Sequence, residues 1–587
     1  MTDVHGLPGA AVLGSATAPE RAVLARRTLA HALLLGVLAD ALLRDGRWGI
    51  ALLAWLLAFA ATVVSLSARR GVTMTREQRA WLGAAVFFGG CFAWRDAEAL
   101  QFFDFIAMLV ALALLGATLS PVSPMRSILG TRVRDLAHAL ARAALNGAVG
   151  VVVLVLGDSA LGATKHRLAD DRTRALLRAA AVTIPLLLLF GALFSEADPV
   201  FGSLFDLPKL DYGLVVSHVL VAGFFTWVVG GWMRGALVDD KPTAALAGGF
   251  PLALGTLEIT VALGALNALF ALFVAVQIGW LFGGEALVRS TTGLGYAQYA
   301  RRGFFELVWV SLLVLPVLLG ARVAIAEGDA KAVRRHRRLS VPLLLLVGAT
   351  MVSAIGRMRL YVHYYGLTTD RLLALVFMAW LAIVFVWFTL TVLRDRERDF
   401  AAGMTITGFF TIAALNFANP DAFIARVNVG RAAAAARLAD SVVVNDGRTR
   451  ASGDTPRTPV DYKYLTVQLG GEAVPAIVGA LTSGTVTAPG APIHEAEVRE
   501  RCDAVRRLFQ KWAPARAGDA EGARRDADWR AWNLGAMRAR ASVRAHEREL
   551  RAVTCWDNGS ESPFGIREQR KPLAGEQWYV APTAPAR

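Results

Sequence analysis

The chain has 587 residues and a mean hydropathy of +0.46; 55% of its residues are hydrophobic and 19% are charged. A soluble globular protein of this length needs far more charge to cover its surface, so the composition excludes that class. Apolar runs begin near Thr28 and stop near Asn416. Each is long enough to cross a hydrocarbon layer, which takes roughly 20 helical residues. The predicted fold class is all-α, a polytopic transmembrane helix bundle with a C-terminal soluble helical domain.

The predicted domains are a cytoplasmic N-terminal tail (1–27), a transmembrane bundle (28–416) and a C-terminal helical domain (417–587). The first apolar segment faintly resembles a signal peptide, but Asp40 interrupts it and no clean cleavage site follows, so we expect a retained span. The eleven predicted spans lie near 28–43, 48–67, 80–94, 98–118, 179–195, 213–233, 254–282, 304–325, 340–356, 371–393 and 399–416. A further segment, 139–157, is ambiguous between a span and a buried or interfacial helix.

The distribution of basic residues favours eleven crossings over twelve. Residues 1–416 contain 37 Lys and Arg, and eleven crossings place 27 of them on the side of the N-terminus and 10 on the other side. If 139–157 also crosses, the division is 18 against 19, which removes the bias. Because basic loops are held in the cytoplasm, this count predicts a cytoplasmic N-terminus and an extracytoplasmic C-terminal domain. The expected location is a membrane whose cytoplasmic side carries these basic loops.

The net charge of +15 is explained by the same loops, so no nucleic-acid partner is expected. The three cysteines are Cys91 in an apolar run and Cys502 and Cys555 near the C-terminus. There is no CxxC motif or Cys/His cluster, so neither a metal site nor a cofactor is expected. An extracytoplasmic domain would permit a disulfide between Cys502 and Cys555, although two free thiols are an equal alternative.

Beyond Phe417 the chain holds 25 basic and 20 acidic residues and no run long enough to span. Five segments have helical patterns, separated by Gly, Pro and Ser/Thr-rich joints: FIARVNVGRAAAAARLA, DYKYLTVQL, EAVPAIVGAL, HEAEVRERCDAVRRLFQKW and DWRAWNLGAMRARASVRAHERELRAV. Residues 445–459 are predicted to form a linker or an exposed loop.

Four polar stretches lie on the predicted outer face: SEADPVFGSLFD (195–206), TTGLGYAQYARRGFFE (291–306), RMRLYVHYYGLTTDR (357–371) and NFANPDAFIARVN (416–428). Their arginines are on the side where the charge rule does not require them. The hypothesis is a ligand-binding pocket in which Arg grips an anionic group and Tyr stacks or hydrogen-bonds. Its candidate residues are Arg301, Arg302, Arg357, Arg359, Tyr361, His363, Tyr364, Tyr365, Arg371, Asp198 and Asp421. An interfacial aromatic belt, or an ion-pair network between outer loops, explains the same residues structurally.

Polar residues inside predicted spans form a second group of hypotheses, because such residues are costly in a bilayer. They are Asp104, His218, Glu258 and Asn267. Glu258 and Asn267 are nine residues apart on one helix, so they face opposite sides and form no shared site. Glu258 is either a proton carrier or, as we favour, a group near the end of its span with a basic partner.

Catalytic signatures are missing: the sequence has no HExxH, GxSxG or Walker loop. We therefore predict no catalytic residues and favour a protein that is not an enzyme. No repeated half or Arg ladder indicates a specific transporter or voltage sensor either.

The order ADPVF, LFGG, YAQYARRGFFEL, YGLTTDR and NPDAFIARVN resembles a bacterial family of uncharacterised polytopic membrane proteins. It is the domain-of-unknown-function family numbered four-one-seven-three, with a sister numbered four-one-five-three. The resemblance covers roughly 197–431 and extends weakly to DYKYLTVQLGGEAVPAIV and DWRAWNL. It implies an integral membrane protein of bacteria and lends no activity, cofactor or catalytic residue.

These observations favour a module that recognises a lipid, an envelope component or a partner protein through its outer face. The expected partners are the bilayer, an anionic lipid headgroup or envelope component, and a protein bound through the C-terminal domain. A secondary transporter or channel lined by Glu258, Asp104 and His218 is the first alternative. A membrane enzyme acting on an envelope substrate is the second.

Overall fold

A computed structural model gives the fold. It describes residues 18–158, 183, 212–238, 255–292, 304–325, 329–445, 460–483, 495–513, 528–553, 567–568 and 580–581, with 45, 47, 72 and 124 excepted. Regular structure in these ranges is helical apart from one antiparallel pair of two-residue strands, β1 (Arg567–Glu568) and β2 (Val580–Ala581). The all-α class is confirmed.

The long helices precede residue 446. They are α1 (Ala18–Leu43), α2 (Ile50–Arg69), α3 (Arg76–Trp94), α4 (Glu98–Leu119), α5 (Val133–Val153), α6 (Tyr212–Met233), α7 (Thr256–Thr292), α8 (Phe304–Val323), α9 (Ala330–Tyr365), α10 (Thr369–Leu390), α11 (Glu397–Ala418) and α12 (Pro420–Asn445). The shorter helices follow: α13 (Tyr462–Val467), α14 (Val474–Thr482), α15 (Glu495–Trp512), α16 (Leu534–Ala545) and α17 (Glu547–Arg551). Short π-helical or 3-10 turns adjoin them at Leu154–Asp158, Arg234–Val238, Val392–Arg394, Gly471–Ala473 and Trp529–Ala531.

Ten helices in the described ranges are long and apolar enough to cross a membrane. Nine coincide with predicted spans, and the tenth, Val133–Val153, covers most of the ambiguous segment 139–157. The predicted span at 80–94 lies in α3, which is not among the ten, and 179–195 lies outside the described residues. The count of eleven, the orientation and the three domain boundaries therefore stay predictions.

Helix ends follow local sequence signals. Asp329 begins α9, because its side chain accepts hydrogen bonds from the amides of Lys331 and Ala332. Gly366 ends the same helix with a φ of +80°, a conformation that costs glycine little. Asn419, with a φ of +56°, ends α11, and Pro420 then occupies the first position of α12. This pair produces an abrupt turn between the last apolar helix and the C-terminal region.

The chain divides into two compact units. The first contains residues 1–87, 108–128 and 134–244. Its helices approach closely at small residues: a Cβ on Gly231 would lie 2.2 Å from the Asn146 carbonyl oxygen. Indole groups also bridge its helices, since the Trp55 Nε1 donates to the Leu35 carbonyl oxygen at 2.9 Å.

The second unit contains residues 88–107, 129–133 and 245–587. One of its apolar cores is formed by α7 to α11, with Phe304, Phe388 and Phe400 among its fully buried side chains. Another core joins α12 to the short C-terminal helices and includes Ile424 and Ile477. The predicted helices of the C-terminal region are confirmed, with a break at His546 between α16 and α17. Of the predicted linker at 445–459, the structure describes only residue 445.

Candidate functional site

A buried cluster of three carboxylates and two glycines lies within the second unit. We call it the carboxylate joint, formed by Asp96, Asp421, Glu472, Gly470 and Gly471. The Gly471 amide donates to Asp96 Oδ2 at 2.9 Å, and the Asp96 amide donates to Glu472 Oε1 at 2.9 Å. The Gly470 amide donates to Asp421 Oδ2 at 2.7 Å. The joint therefore connects the loop after α3 and the first turn of α12 to the segment that precedes α14.

Glycine is required at the joint because two backbone segments nearly touch. A Cβ on Gly470 would lie 2.1 Å from the Asp96 carbonyl oxygen, and one on Gly471 would lie 2.8 Å from the Gly535 carbonyl oxygen. Neither obstacle is the end of a flexible side chain that could move away. The close approach therefore depends on residues that have no side chain.

Burial changes the acidity of the joint. It raises the pKa of Glu472 to about 7 and that of Asp421 to about 6, and it raises the pKa of Asp96 as well. Backbone amide donors oppose each increase, whereas the negative charge of neighbouring carboxylates adds to it for Glu472 and Asp421. Asp421 and Glu472 are buried, with only 3% and 7% of their residue surfaces exposed. The joint consequently exchanges protons in the neutral pH range.

Asn533 extends the joint to α16. Its Nδ2 donates to the carbonyl oxygens of Phe92 and Arg95, both at 2.6 Å, while its Oδ1 accepts from the Ala536 amide at 3.1 Å and caps α16. The Arg95 Nε donates to the Asn416 carbonyl oxygen at 2.8 Å. One amide side chain and one guanidinium thus join the ends of α3, α11 and α16.

Asp104, a predicted intramembrane site, is connected to this network. Its Oδ1 accepts from the Asn416 Nδ2 at 2.6 Å, and both residues are fully buried. Within the part of the chain that the structure describes, the buried Asp104 Oδ2 and Asn416 Oδ1 have no hydrogen-bond partner. A buried polar atom without a partner is costly, which makes this pair the most unusual polar contact within the spans.

Three residues of the predicted arginine–tyrosine pocket contact one another around the end of α9. The Arg371 guanidinium lies 4.0 Å from the Tyr361 ring centre, and the Tyr361 and Tyr365 rings are 5.0 Å apart. Arg371 also donates to the carbonyl oxygens of Tyr365 and Gly366. A cation at these carbonyls is favourable, because the C-terminus of a helix carries partial negative charge.

Further side chains dock the α9–α10 loop onto the C-terminal region. Arg431 donates to the His363 carbonyl oxygen at 2.7 Å. The Asn428 side chain exchanges two hydrogen bonds with the Leu367 backbone, at 2.7 and 2.8 Å. The Tyr464 hydroxyl accepts from the Thr369 amide at 2.7 Å. Arg371 and Asn428 therefore have defined structural partners at this loop.

The other pocket residues that the structure describes lie in several different surroundings. Arg357 lies within the bundle and donates to Gln277 Oε1 at 2.6 Å, whereas Arg359 and His363 are exposed and Tyr365 is 53% exposed. Asp421 belongs to the carboxylate joint. The side chains of Asp198, Arg301, Arg302 and Tyr364 lie outside what the structure describes. The ligand-binding role of the pocket residues stays a prediction.

The other predicted intramembrane residues have local partners or lie at a helix end. The His218 Nδ1 lies 2.5 Å from Asp40 Oδ2. The Asn267 Nδ2 donates to carbonyl oxygens of its own helix and of Leu339, so it links α7 to α9. Glu258 is exposed in the first turn of α7, as expected for a group near the end of a span.

Among the cysteines, Cys91 is buried and free, and Cys502 is disulfide-bonded. The predicted partner, Cys555, lies outside the described residues, so the pairing stays a prediction. No group of three or more His, Cys, Asp or Glu side chains in the described ranges could hold a metal ion.

Sequence comparison relates this site to a family. The family model for a domain of unknown function, DUF4153, matches residues 82–480, which is more than half of the chain. The chain belongs to the DUF4153 family. No curated protein and no solved structure matches it. The matching number is that of the family predicted to be the sister, so the match does not support the number four-one-seven-three.

The DUF4153 segment contains all five residues of the carboxylate joint, together with Asp104 and Asn416. Asn533 lies beyond it. Sequence reasoning missed Asp96, Glu472 and Asn533, because a single acid or amide near a span end has no distinctive spacing. The available signal was the motif context: LGGEAVP contains the two glycines and Glu472, and DWRAWNL contains Asn533.

Proposed function

We propose that this DUF4153 protein is a membrane-anchored recognition module of the bacterial inner membrane. Its bundle holds the C-terminal helical domain in a fixed position at the outer membrane surface, where the domain binds a lipid headgroup, an envelope component or a partner protein. The observation that carries the proposal is the carboxylate joint, which attaches the domain to the ends of the apolar helices through buried, directional hydrogen bonds.

The contacts favour fixed docking over a flexible connection. Asn428 and Tyr464 bond to the backbone of the α9–α10 loop, Asn533 bonds to the end of α3, and the Gly470 contact allows no extra atom. Buried hydrogen bonds of this kind are expensive to break, because each separated group loses its partner away from water. A rigidly held domain presents a constant surface, which is an advantage in recognition.

Two independent observations support the outward orientation. The basic residues favour the side of the N-terminus by 27 to 10 under the eleven-span count. Cys502 is disulfide-bonded, and disulfides persist outside the reducing cytoplasm. Both support our proposal that the C-terminal domain lies on the extracytoplasmic side.

The proposal is tested by extracting the full-length protein directly into lipid nanodiscs and identifying bound lipids and proteins by mass spectrometry. Wild type is compared with Gly470→Val, which separates the joint, and with Gly479→Ala. A Cβ on Gly479 meets no atom within 4 Å, so this variant is the matched control. We expect components that are enriched on wild type and Gly479→Ala and depleted on Gly470→Val. Identical bound components on all three would contradict a role for docking in recognition.

A transport function is the second candidate, because Asp104 and Asn416 have buried oxygen atoms without partners in the described part of a bundle. A carboxylate inside a membrane, such as Asp104, can bind a proton in transit, and the amide of Asn416 can hydrogen-bond to it. Asp104→Asn should then abolish proton flux across the membrane of reconstituted vesicles. If Asp104→Asn leaves flux unchanged, or if no flux exists, the transport candidate is excluded.

A further inference from the structure

Three large apolar side chains are exposed on the C-terminal domain within ten residues. Trp529 is 60% exposed, Trp532 is 42% exposed and Met537 is 45% exposed. Two tryptophans and a methionine so close together are unusual on a surface that meets only water. We call residues 528–540 the tryptophan segment.

Hydrogen bonds attach the tryptophan segment to the end of α3, within the same unit. Asn533, which follows Trp532 directly, donates to the carbonyl oxygens of Phe92 and Arg95 at 2.6 Å. Three residues after Arg95, Glu98 begins α4, one of the ten helices able to span a membrane. The tryptophan segment is therefore held beside the N-terminal end of a helix that is long and apolar enough to span a membrane.

Neighbouring span ends carry exposed aromatic groups. The Trp94 and Phe417 rings lie 5.1 Å apart in an edge-to-face contact, and Phe417 is 67% exposed. The Arg95 guanidinium, whose Nε bonds the carbonyl oxygen of Asn416, covers the Trp94 ring at 4.3 Å. Tryptophan with arginine at the end of a span is the composition of a membrane interface, where an apolar ring has polar atoms beside it.

The charge of the segment complements an anionic surface. Within it, helix α16 contributes Arg538 and Arg540 and no acidic residue, and Arg540 also acts electrostatically on Asp96 of the carboxylate joint. The one acidic residue of the tryptophan segment, Asp528, is paired with Arg530 at 2.9 Å. Basic residues near a membrane surface are attracted to anionic lipid headgroups. The segment therefore combines apolar anchors with excess positive charge.

We propose that the tryptophan segment inserts Trp529, Trp532 and Met537 into the interfacial layer of the adjacent leaflet and that its arginines bind anionic lipid headgroups there. This inference rests on the proposed function, because the carboxylate joint and Asn533 hold the segment at the interface. It assigns a lipid of anionic headgroup as the partner of this surface.

Bromolipid quenching of tryptophan fluorescence tests the proposal on the full-length protein in nanodiscs. Subtracting the spectrum of Trp529→Phe/Trp532→Phe from wild type isolates the two indoles, and phenylalanine keeps the surface apolar. The matched control is Trp309→Phe, because Trp309 is 63% exposed within the α8 span. Phosphatidylglycerol brominated near the headgroup should remove most of the Trp529/Trp532 difference signal. Bromine deep in the acyl chain should instead quench Trp309.

Each outcome is informative. Quenching of Trp529 and Trp532 by aqueous iodide, without quenching by bromolipid, would overturn the proposal and indicate a surface for a protein partner. Equal quenching in brominated phosphatidylcholine would contradict the preference for anionic lipid. If Gly470→Val retains full bromolipid quenching, the segment binds lipid without the joint, and the proposed function fails while the lipid contact stands. If wild type shows no bromolipid quenching although the joint is protected from hydrogen exchange, only the lipid contact fails.

Discussion

The chemistry of single residues explains why the carboxylate joint responds to protons. Glu472 has one oxygen bonded to the Asp96 amide, and its Oε2 is buried without a hydrogen-bond partner in the described ranges. Asp421 has a single amide donor, from Gly470. One amide bond replaces only part of the hydration that a carboxylate loses on burial, so the protonated form is favoured.

The pH dependence follows from these pKa directions. Glu472 binds its proton more tightly in the folded protein, with a pKa of about 7, than in an unfolded chain, where 4.5 is ordinary. Its contribution to stability is therefore fully present below the unfolded pKa and is lost as pH rises through about 7. Asp421 has the same sign, and its contribution is lost by the time the pH has risen through about 6. Docking should weaken by about 1–3 kcal/mol between pH 5 and pH 8.

Glu472→Gln should flatten the part of this pH dependence that lies near pH 7, because the amide does not titrate. Hydrogen exchange of the peptide covering 470–483, corrected for intrinsic rates, measures the effect. Asp503→Asn is the control, since Asp503 is a partly exposed acid paired with Arg506 at 3.3 Å on the surface of α15. A Glu472→Gln profile as steep as wild type would show that another group titrates.

Gly470→Ala should destabilise docking by about 2–3 kcal/mol, because the new Cβ would lie 2.1 Å from the Asp96 carbonyl oxygen and backbone must shift. Gly479→Ala removes a glycine from an open position in α14 and should stabilise that helix by about 1 kcal/mol. Thermal unfolding in nanodiscs compares the two. A similar change in Tm for both variants would contradict the close contact at Gly470.

At the scale of elements, helix ends do most of the docking. The end of α9 has its carbonyls covered by Arg371 and Arg431, and the start of α16 is capped by the same Asn533 that bonds to Phe92 and Arg95. Helix termini leave backbone groups without intrahelical partners, so a docked helix end satisfies groups that otherwise need water. Capping and docking are thus performed by the same side chains.

Asn533→Asp separates these two roles. Aspartate caps a helix as well as asparagine, but its second oxygen faces two carbonyl oxygens and cannot donate. We expect α16 to stay helical while docking loses about 2–4 kcal/mol, from two lost hydrogen bonds and the new repulsion. Asp461→Asn is the control, because it changes the cap of α13 without removing an acceptor. Limited proteolysis measures undocking, and equal cleavage of wild type and Asn533→Asp would contradict the role of Asn533.

The sequence predicted the helices of the protein but not the contacts between distant segments. Nine spans and the helices of the C-terminal domain were predictable, since a run of apolar residues or a period of 3.6 is a local property. The docking contacts were not, because Asp96 and Glu472 are 376 positions apart and nothing near either residue identifies the other. Arg371 was predicted to bind a ligand, yet its described contacts are helix-end carbonyls and the Tyr361 ring, and sequence cannot distinguish those carbonyls from a phosphate.

At the scale of the whole molecule, the docked domain constrains the number of membrane crossings. The loop at Asp96 contacts Gly471, and the loop at Thr369 contacts Tyr464, so both loops lie on the side of the C-terminal domain. The number of crossings between them must be even. Six described candidate spans separate them, Val133–Val153 included, and a crossing at 179–195 would make seven. If the other five candidate spans all cross, only one of Val133–Val153 and 179–195 can cross as well.

Cysteine accessibility tests this parity. Single cysteines at Glu98 and Asp370 should react with a membrane-impermeant maleimide from the same side, because both positions are exposed near the docked loops. A cysteine at Ala169 then decides between the two segments: it lies on the side of Glu98 if Val133–Val153 crosses, and on the opposite side if 179–195 crosses. Labelling of the cysteines at positions 98 and 370 from opposite sides of the membrane would contradict the docking of both loops onto one domain.

The carboxylate joint has a consequence for how the DUF4153 family diverges. Each of its acids binds a main-chain amide, and the nearby cations Lys511 and Arg540 act on Asp96 electrostatically. Substitution elsewhere cannot compensate for the loss of a glycine amide or of the space beside it. Relatives should accordingly retain the glycines at positions 470 and 471. In an alignment, these glycines would then be invariant while the positions around them vary.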